Sequence, residues 1–335
     1  MKKIQIIAEA GVNHNGNIDR AISLIDVASS AGADYVKFQT FNAEKVISRN
    51  ASKAEYQIKN TNNKSETQLE MVKKLELSYD DHIVLKKYCD KKKIKFLSTA
   101  FDLDSIDLIK QLNVPFFKVP SGEINNLPYL RKSAKLFSSF VVSTGMCNIA
   151  EIKKAIDILI ENKIKKKNIT LLHCTTEYPT PPQHVNLNAM ITLKNDFNLE
   201  VGYSDHTEGI EIPIAAAAMG ASIIEKHFTL DKTLEGPDHK ASLNPDELIK
   251  MIQGIRKIEV SLGSNKKSIT SVEIKNKLIA RKSIVALKPI KIGEIFSEDN
   301  ITCKRPGDGV SPMEWDKVLG KHSKFNFEID DKIKL

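Results

Sequence analysis

A (β/α)8 barrel followed by a small β-rich module is the fold class this sequence predicts, and three observations carry it. Short β-branched runs alternate with helix-period stretches eight times in about 260 residues, close to the ~250 residues typical of such a barrel. Nearly every run ends in a polar or charged cluster. Beyond about Gly263 the character changes, and Ser264-Asn265-Lys266-Lys267-Ser268 reads as the start of a linker. The predicted limits are 1–262 for the barrel, 263–281 for the linker and 282–335 for the C-terminal module.

The strand candidates are residues 4–8, 35–39, 94–98, 115–119, 140–143, 169–173, 200–204 and 222–227. Between the first two lies an amphipathic stretch, 18–31, with Ile22, Leu24, Ile25 and Ala28 on one side; 149–161 repeats the pattern with Ile152, Ala155, Ile156 and Leu159. A last helical stretch, 245–262, follows the eighth run. An open doubly wound sheet would share this alternation. The strand-end clusters argue for the barrel: in a barrel the C-terminal strand ends share one mouth, where active sites sit, whereas in an open sheet most could not meet. The Ala10-Gly11-Val12-Asn13-His14-Asn15-Gly16 turn is not a GxGxxG, so a dinucleotide site lacks its main signature. Residues 39–78 form a long polar insert whose Glu55-Tyr56-Gln57 either reaches over the mouth or makes a plain surface excursion. In the last module, 283–296 reads as short strands with turns and Arg305-Pro306-Gly307-Asp308-Gly309 as a loop. A unit of roughly 50 residues is marginal alone, so it is expected to pack on the barrel or on a partner subunit.

Composition narrows the class. Hydrophobic residues make up 41% and charged residues 27% of the 335 positions, as in an ordinary globular protein. The basic N-terminus meets Glu9 after a short apolar run, unlike a signal peptide. No stretch approaches the ~18 apolar residues of a membrane span, so no membrane association is expected. Lys and Arg exceed Asp and Glu by 50 to 42, a net charge of +8. Lysine runs such as 91–93 and 165–167 are scattered and lack interleaved aromatics, which argues against a nucleic-acid partner and leaves a small anionic substrate open. Cys89, Cys147, Cys174 and Cys303 form no CxxC, as expected of reduced cytoplasmic thiols.

His206 and His227 end successive strands and would be neighbours on a barrel rim. Two imidazoles with a carboxylate such as Glu9 or Glu225 suit a divalent transition ion; the alternative is plain hydrogen bonding within a polar rim. Lys37 and Lys118 sit inside apolar strands, where a charge is costly unless something anionic meets it. With Thr99, Ser143 and Ser204 as hydroxyl donors they would cradle a phosphate and a carboxylate on one small substrate; otherwise their stems pack in the barrel and their heads reach solvent. Ser121-Gly122-Glu123 adds a carboxylate placed to move a proton on or off water. His82, His184 and His322 read as solvated surface residues. A metal-dependent aldolase or hydrolase would share the histidine pair without needing two strand lysines, and a carbohydrate-binding module would need neither.

Glu9-Ala10-Gly11-Val12-Asn13-His14-Asn15-Gly16, Val36-Lys37-Phe38-Gln39-Thr40, Lys118-Val119-Pro120-Ser121-Gly122-Glu123, Ser143-Thr144-Gly145-Met146, Leu172-His173-Cys174-Thr175, Gly202-Tyr203-Ser204-Asp205-His206-Thr207, Glu225-Lys226-His227-Phe228-Thr229, Gly236-Pro237-Asp238-His239 and Lys304-Arg305-Pro306-Gly307 resemble the sialic acid synthase family over essentially the whole chain. The resemblance implies condensation of phosphoenolpyruvate with an N-acetylated aminosugar, releasing phosphate and forming a nine-carbon 2-keto acid. It makes His206 and His227 the ligands of a manganese or magnesium ion, places Lys37, Thr99, Lys118, Ser143 and Ser204 at phosphoenolpyruvate, and counts Ser121 among the substrate-binding residues. Glu123 would handle the water that adds at C2, and Glu9, which shares in the chemistry, would line the sugar site with Gln39, Tyr178 and Asp238. The C-terminal module resembles an antifreeze-like (SAF) domain, which implies a domain-swapped homodimer in which Arg305 contacts the sugar's N-acetyl group. Thr176 stands where several members carry Asn. The segment 53–61 and the stretches around 280–283 and 311–315 look closest to bacterial neuraminate synthases, so N-acetylmannosamine is the first acceptor expected and 2,4-diacetamido-2,4,6-trideoxymannose, giving N,N'-diacetyllegionaminate, the alternative.

Overall fold

The structure, a computed structural model, describes residues 3–61, 63 and 65–335; Met1 and Lys2 of the N-terminal segment and Asn62 and Lys64 of the polar insert lie outside the described residues. The chain divides into two compact units after Gly263. In the first, each of the eight predicted runs becomes a strand: β1 (Gln5–Gly11), β2 (Tyr35–Thr40), β3 (Lys95–Ala100), β4 (Phe117–Val119), β5 (Phe140–Ser143), β6 (Ile169–Cys174), β7 (Glu200–Asp205) and β8 (Ile223–His227). All ladders between them are parallel, in the order β3-β2-β1-β8-β7-β6-β5-β4, and β3 lies beside β4 to complete the circle. The strands are buried along nearly their whole length, as expected of parallel strands covered on both faces.

Helices α1 (Ile18–Ala31), α2 (Ala43–Val46), α3 (Glu55–Thr61), α4 (Gln68–Lys73), α5 (Tyr79–Lys92), α6 (Leu103–Gln111), α7 (Leu127–Leu136), α8 (Ile149–Glu161), α9 (Ala189–Phe197), α10 (Glu211–Ala218) and α11 (Pro245–Ser261) connect or follow the strands. Their starts are set locally. Asn148 with Glu151 and Asn244 with Glu247 form reciprocal capping boxes for α8 and α11, and α11 has Pro245 in its first turn. The apolar faces read from the sequence, including Leu24, Ile25 and Ala28 of α1 and Ile152, Ala155, Ile156 and Leu159 of α8, join one core with the outward side chains of the strands. The insert between β2 and β3 is structured: α2, α3 and α4 lie within it. No described helix is long and apolar enough to cross a membrane.

His82, expected at the surface, is fully buried in α5. Its Nδ1 faces Ser78 O at 2.7 Å and therefore donates, which leaves Nε2 to accept from Thr40 Oγ1 at 2.8 Å. Satisfying both ring nitrogens makes the burial affordable, something its lysine- and aspartate-rich neighbours in sequence do not reveal. His184 and His322 are exposed, as expected.

The second unit has a separate core built on Ile284, Ala286, Ile290, Phe296, Ile301, Val318, Phe327 and Ile333. Its strands β9 (Ser283–Ala286) and β10 (Ile301–Lys304) pair antiparallel. The stretch read as a linker holds a ten-residue helix, α12 (Ser271–Ala280), started by a Thr270–Glu273 capping box. None of its residues is buried, so the polar composition that suggested a linker also suits a solvated helix.

Candidate active site

Side chains alternate along a strand, so every second residue of β1, β2 and β8 points to the barrel interior. Register then fixes the neighbours: Glu9 stands opposite Lys37 on one side and His227 on the other, Gln39 opposite Thr99, and Ser204 opposite Glu225. The result is a cavity of about 390 Å³ at the C-terminal strand ends. Glu9, Lys37, Gln39, Thr99, Lys118, Ser121, Ser143, Tyr178, Ser204, His206 and His227 all line it. The mouth therefore gathers eleven of the fourteen side chains singled out from the sequence.

At its floor two buried lysines meet two buried carboxylates. Lys37 Nζ lies 2.8 Å from Glu9 Oε2 and 3.7 Å from Glu225 Oε2, and donates to Thr99 Oγ1 at 2.9 Å. Lys118 Nζ lies 3.3 Å from Glu225 Oε1, which also accepts from Ser204 Oγ at 2.9 Å. Burial works to raise the pKa of Glu225, but Lys118 and then Lys37 outweigh it and hold the carboxylate ionised. Burial dominates at Glu9, which is pushed up despite Lys37. The lysines differ likewise. Burial would lower both, yet Glu225 and Glu9 hold Lys37 above its ordinary value, while Lys118, with Glu225 as its main counter-charge, falls below.

Buried polar atoms almost always find partners. Among the described residues, those that do not are concentrated here. Ser143 Oγ, Thr176 Oγ1 and His227 Nδ1 are hydrogen-bonded to nothing, and Glu9 Oε2 and Glu225 Oε2 have no aligned donor although Lys37 is near both. Asn13 Oδ1 and His14 Nε2, in the loop after β1, complete the set. The site is thus prepared for polar groups it does not itself supply. Its backbone is shaped to the same end. Gly11, at an irregularity of the β1–β2 ladder, has φ +53°, and a Cβ there would press on the His227 ring at 3.3 Å. A Cβ on Gly145 would collide with Thr176 Oγ1 and come within 2.7 Å of Ser121 Oγ.

A model of the NeuB family matches residues 24–267, and a SAF domain model matches residues 281–333. The chain belongs to the NeuB family. It is 54% identical over 334 residues to the N,N'-diacetyllegionaminic acid synthase of Campylobacter jejuni, covering 100% of both chains. It is 45% identical to the enzyme of the same name from Legionella pneumophila, covering 96% of this chain and 90% of that one. The crystal structure of an N-acetylneuraminic acid synthetase from Leptospira borgpetersenii superposes with a TM-score of 0.72 at 35% identity, over 82% of this chain and 90% of that one.

Against that family, three of the expected residues fall outside the cavity wall. Asp238 lies just beyond it, 3.8 Å from His227 Nδ1, and burial pushes its pKa up to about 6. Glu123, expected beside the lysines, does not line the cavity: it ends a short 3-10 turn after β4, and its Oε2 accepts from Asn126 Nδ2 at 2.6 Å. Arg305 belongs to the second unit, is exposed, and donates through Nε to Ala280 O at 3.0 Å. Lys226, between Glu225 and His227 on β8, points away from the interior and pairs at 2.6 Å with the fully buried Asp205. Glu225 proved more central than its role as an optional ligand suggested. The signal was available, because it stands two residues before His227 on an inward-facing period of two.

Among the described residues no group of three or more His, Cys, Asp or Glu is arranged to close round an ion. The two histidines nevertheless fit an open site. Their ring centroids are 5.4 Å apart, and His206 Nδ1 lies 2.6 Å from Thr175 O, so Nδ1 donates and Nε2 is the nitrogen that can turn to an ion; burial works against charge on this ring, but Cys174 and Thr175 outweigh it and raise its pKa, so an ion bound there displaces the Nε2 proton. Burial and the neighbouring His206 drive His227 well below its ordinary pKa, which keeps it neutral. Tyr178 stacks on His206 with centroids 4.0 Å apart and Tyr56 of α3 stacks on Tyr178 at 5.2 Å, so the insert helps set the orientation of a histidine at the mouth.

Proposed function

We propose that this chain condenses phosphoenolpyruvate with an N-acylated amino sugar and water, releasing phosphate and forming a nine-carbon 2-keto acid, with 2,4-diacetamido-2,4,6-trideoxymannose as acceptor and N,N'-diacetyllegionaminate as product. The observation that carries the reaction is the buried Lys37–Lys118 pair beside unsatisfied hydroxyls and two histidines. The acceptor is favoured by the two relatives named for that product, at 54% and 45% identity, over N-acetylmannosamine, the substrate first expected.

In this reading Lys37 and Lys118 meet the phosphate and carboxylate of phosphoenolpyruvate. Thr99 and Ser143 donate hydrogen bonds to its oxygens, as does Ser204 once its proton turns from Glu225, and the anion takes over part of the charge the lysines share with Glu9 and Glu225. His206 and His227 would hold a divalent ion, which supplies Lewis-acid polarisation of the sugar aldehyde. Gln39, whose Nε2 donates to Glu9 Oε1 at 3.3 Å, and Tyr178 orient the sugar. Of the two carboxylates expected to take part in the chemistry, Glu9 lines the cavity and Glu123 does not, so Glu9 is assigned the proton transfer at the reacting carbons. Arg305 is assigned to the sugar's acyl group of a neighbouring copy in a homodimer, supported by its exposure and by the SAF match around it.

The test is release of inorganic phosphate from phosphoenolpyruvate with each of the two sugars, with and without added manganese or magnesium. Release that needs both the sugar and the metal, and is faster with the trideoxy sugar, is expected. Cleavage of a keto acid without phosphate release would instead make the chain an aldolase.

A further inference from the structure

We propose that Asp205 and Lys226, a fully buried ion pair, are positioning residues that set the spacing of His206 and His227, and with it their affinity for a divalent ion; this rests on the reading of the two histidines as metal ligands. Asp205 and Lys226 stand opposite each other on the last rung of the β7–β8 ladder. Each immediately precedes one of the two histidines that line the cavity. Side chains alternate along a strand, so on β8 Glu225 and His227 point to the interior and Lys226 away from it. Neither partner of the pair is accessible to solvent, and Lys226 Nζ lies 2.6 Å from Asp205 Oδ2.

The bonds around the pair bracket His206. Asp205 Oδ1 accepts from the Tyr203 hydroxyl at 2.9 Å and from Thr207 N at 3.0 Å, and Oδ2 accepts from Thr207 Oγ1 at 3.0 Å. Lys226 Nζ donates to Thr207 O as well as to Asp205. One ammonium thus clasps the residues before and after His206, while its own backbone leads directly into His227. Loops hold the two histidines' carbonyls: Thr180 N donates to His206 O at 2.8 Å, and Leu243 N to His227 O at 2.9 Å. Stability alone does not account for the pair, because burying two charges is costly and apolar residues of similar volume often serve as well or better. What the charged bonds supply, and an apolar contact does not, is a fixed direction. An ion held by two rings on separate strands needs that, since ligand distances must be met within ~0.2 Å. Slippage of β7 against β8 would spread the rings, whose centroids are 5.4 Å apart.

The experiment measures manganese binding by calorimetry, without substrates, to the full-length wild type, Lys226→Met and Tyr203→Phe, and phosphoenolpyruvate binding to the same proteins free of metal. Met keeps the stem of Lys226 and removes the clasp, and Asp205 retains its donors from Tyr203 and Thr207. Tyr203→Phe removes one donor and no charge, so it reports even where Lys226→Met does not fold. Loss of a group that orients a metal ligand typically costs ~10–100-fold in affinity, so Lys226→Met should weaken manganese binding by roughly that factor and Tyr203→Phe severalfold. Phosphoenolpyruvate should bind both variants as it binds the wild type, a split that general damage to the barrel would not produce. Unchanged manganese affinity in folded Lys226→Met, or in Tyr203→Phe where that variant alone folds, overturns the positioning role, as does an equal loss of both affinities. A wild type that binds no manganese, or binds it equally well after His206→Ala and His227→Ala, overturns the metal reading and the positioning role with it.

Discussion

Replacing Lys118 by Met tests the anion cradle most directly. The side chain is 3% exposed, with its ammonium 3.3 Å from Glu225 Oε1. Met keeps the stem's packing and removes the charge. Truncating one partner of a buried charge pair costs about 2–5 kcal/mol in binding, and 1.4 kcal/mol is tenfold, so kcat/KM for phosphoenolpyruvate should fall by roughly 30- to 4,000-fold. The unliganded protein should lose much less. Glu225 keeps Lys37 at 3.7 Å and the Ser204 hydroxyl at 2.9 Å, so its charge is not stranded. The cost in stability should stay under the ~3 kcal/mol at which breaking an isolated buried pair begins, a drop in melting temperature of under about 10 °C. Phosphate release measured against phosphoenolpyruvate at saturating sugar and metal, with thermal melting alongside, separates the two effects. A folded variant whose kcat/KM stays within about threefold of wild type, a difference of only ~0.7 kcal/mol, would show that Lys118 neutralises Glu225 for structural reasons and does not receive substrate.

His227→Ala should abolish metal-dependent turnover and weaken binding of manganese in calorimetry while leaving the melting profile of the barrel in place; near-normal turnover would remove His227 as a ligand. Acid should destabilise the protein through His14, which burial holds down at about 4 against an ordinary 6.5 and whose Nδ1 already accepts from Gly16 N. Its contribution is complete above pH 6.5 and is lost as pH falls toward 4, where the unfolded chain binds a proton that the folded one refuses, about 3 kcal/mol in all. His239, also lowered mainly by burial, acts in the same direction. Melting temperatures of wild type and His14→Gln between pH 7.5 and 4 should diverge in their slope, and parallel slopes would refute the assignment. Deleting residues 264–335 should leave a cooperatively melting barrel, because the two hydrophobic cores share no residue, yet raise the KM for the sugar through loss of Arg305. Unchanged kinetics would deny the second unit any part in the reaction.

What could be read from the sequence is what the barrel converts directly from position into proximity. A charge within an apolar strand, as at Lys37 and Lys118, must be compensated, and a polar residue at a strand's last position, as at Ser143, has only the mouth to face. Those two rules place most of the cradle without knowledge of packing. They fail where direction is decided after the strand ends. Glu123 follows β4 by four residues, and the short turn it closes carries it to Asn126 instead of the cavity, a choice made by the turn and α7 together. They also fail where burial is purchased by partners distant in sequence, as for His82 with Thr40, 42 positions away. The insert shows both limits together. Its polar composition predicted a loop, and its short helices owe their place to Asn60, which reaches carbonyls of Tyr178 and Pro237 far along the chain, and to Lys53, which ties the insert to itself through Asn63 O and Glu66. The apolar residues it carries, Val46, Ile47, Met71, Val72 and Leu75, have too little periodicity to announce a wall, and become one only when those anchors bring them to face Phe41 and Phe101 of the barrel. The cradle's charges and hydroxyls thus lie on strands, where register positions them, whereas the geometry of the insert depends on tertiary contacts. Substitutions in 43–75 should therefore leave the KM for phosphoenolpyruvate intact, since none of the cradle's charges or hydroxyls comes from that segment.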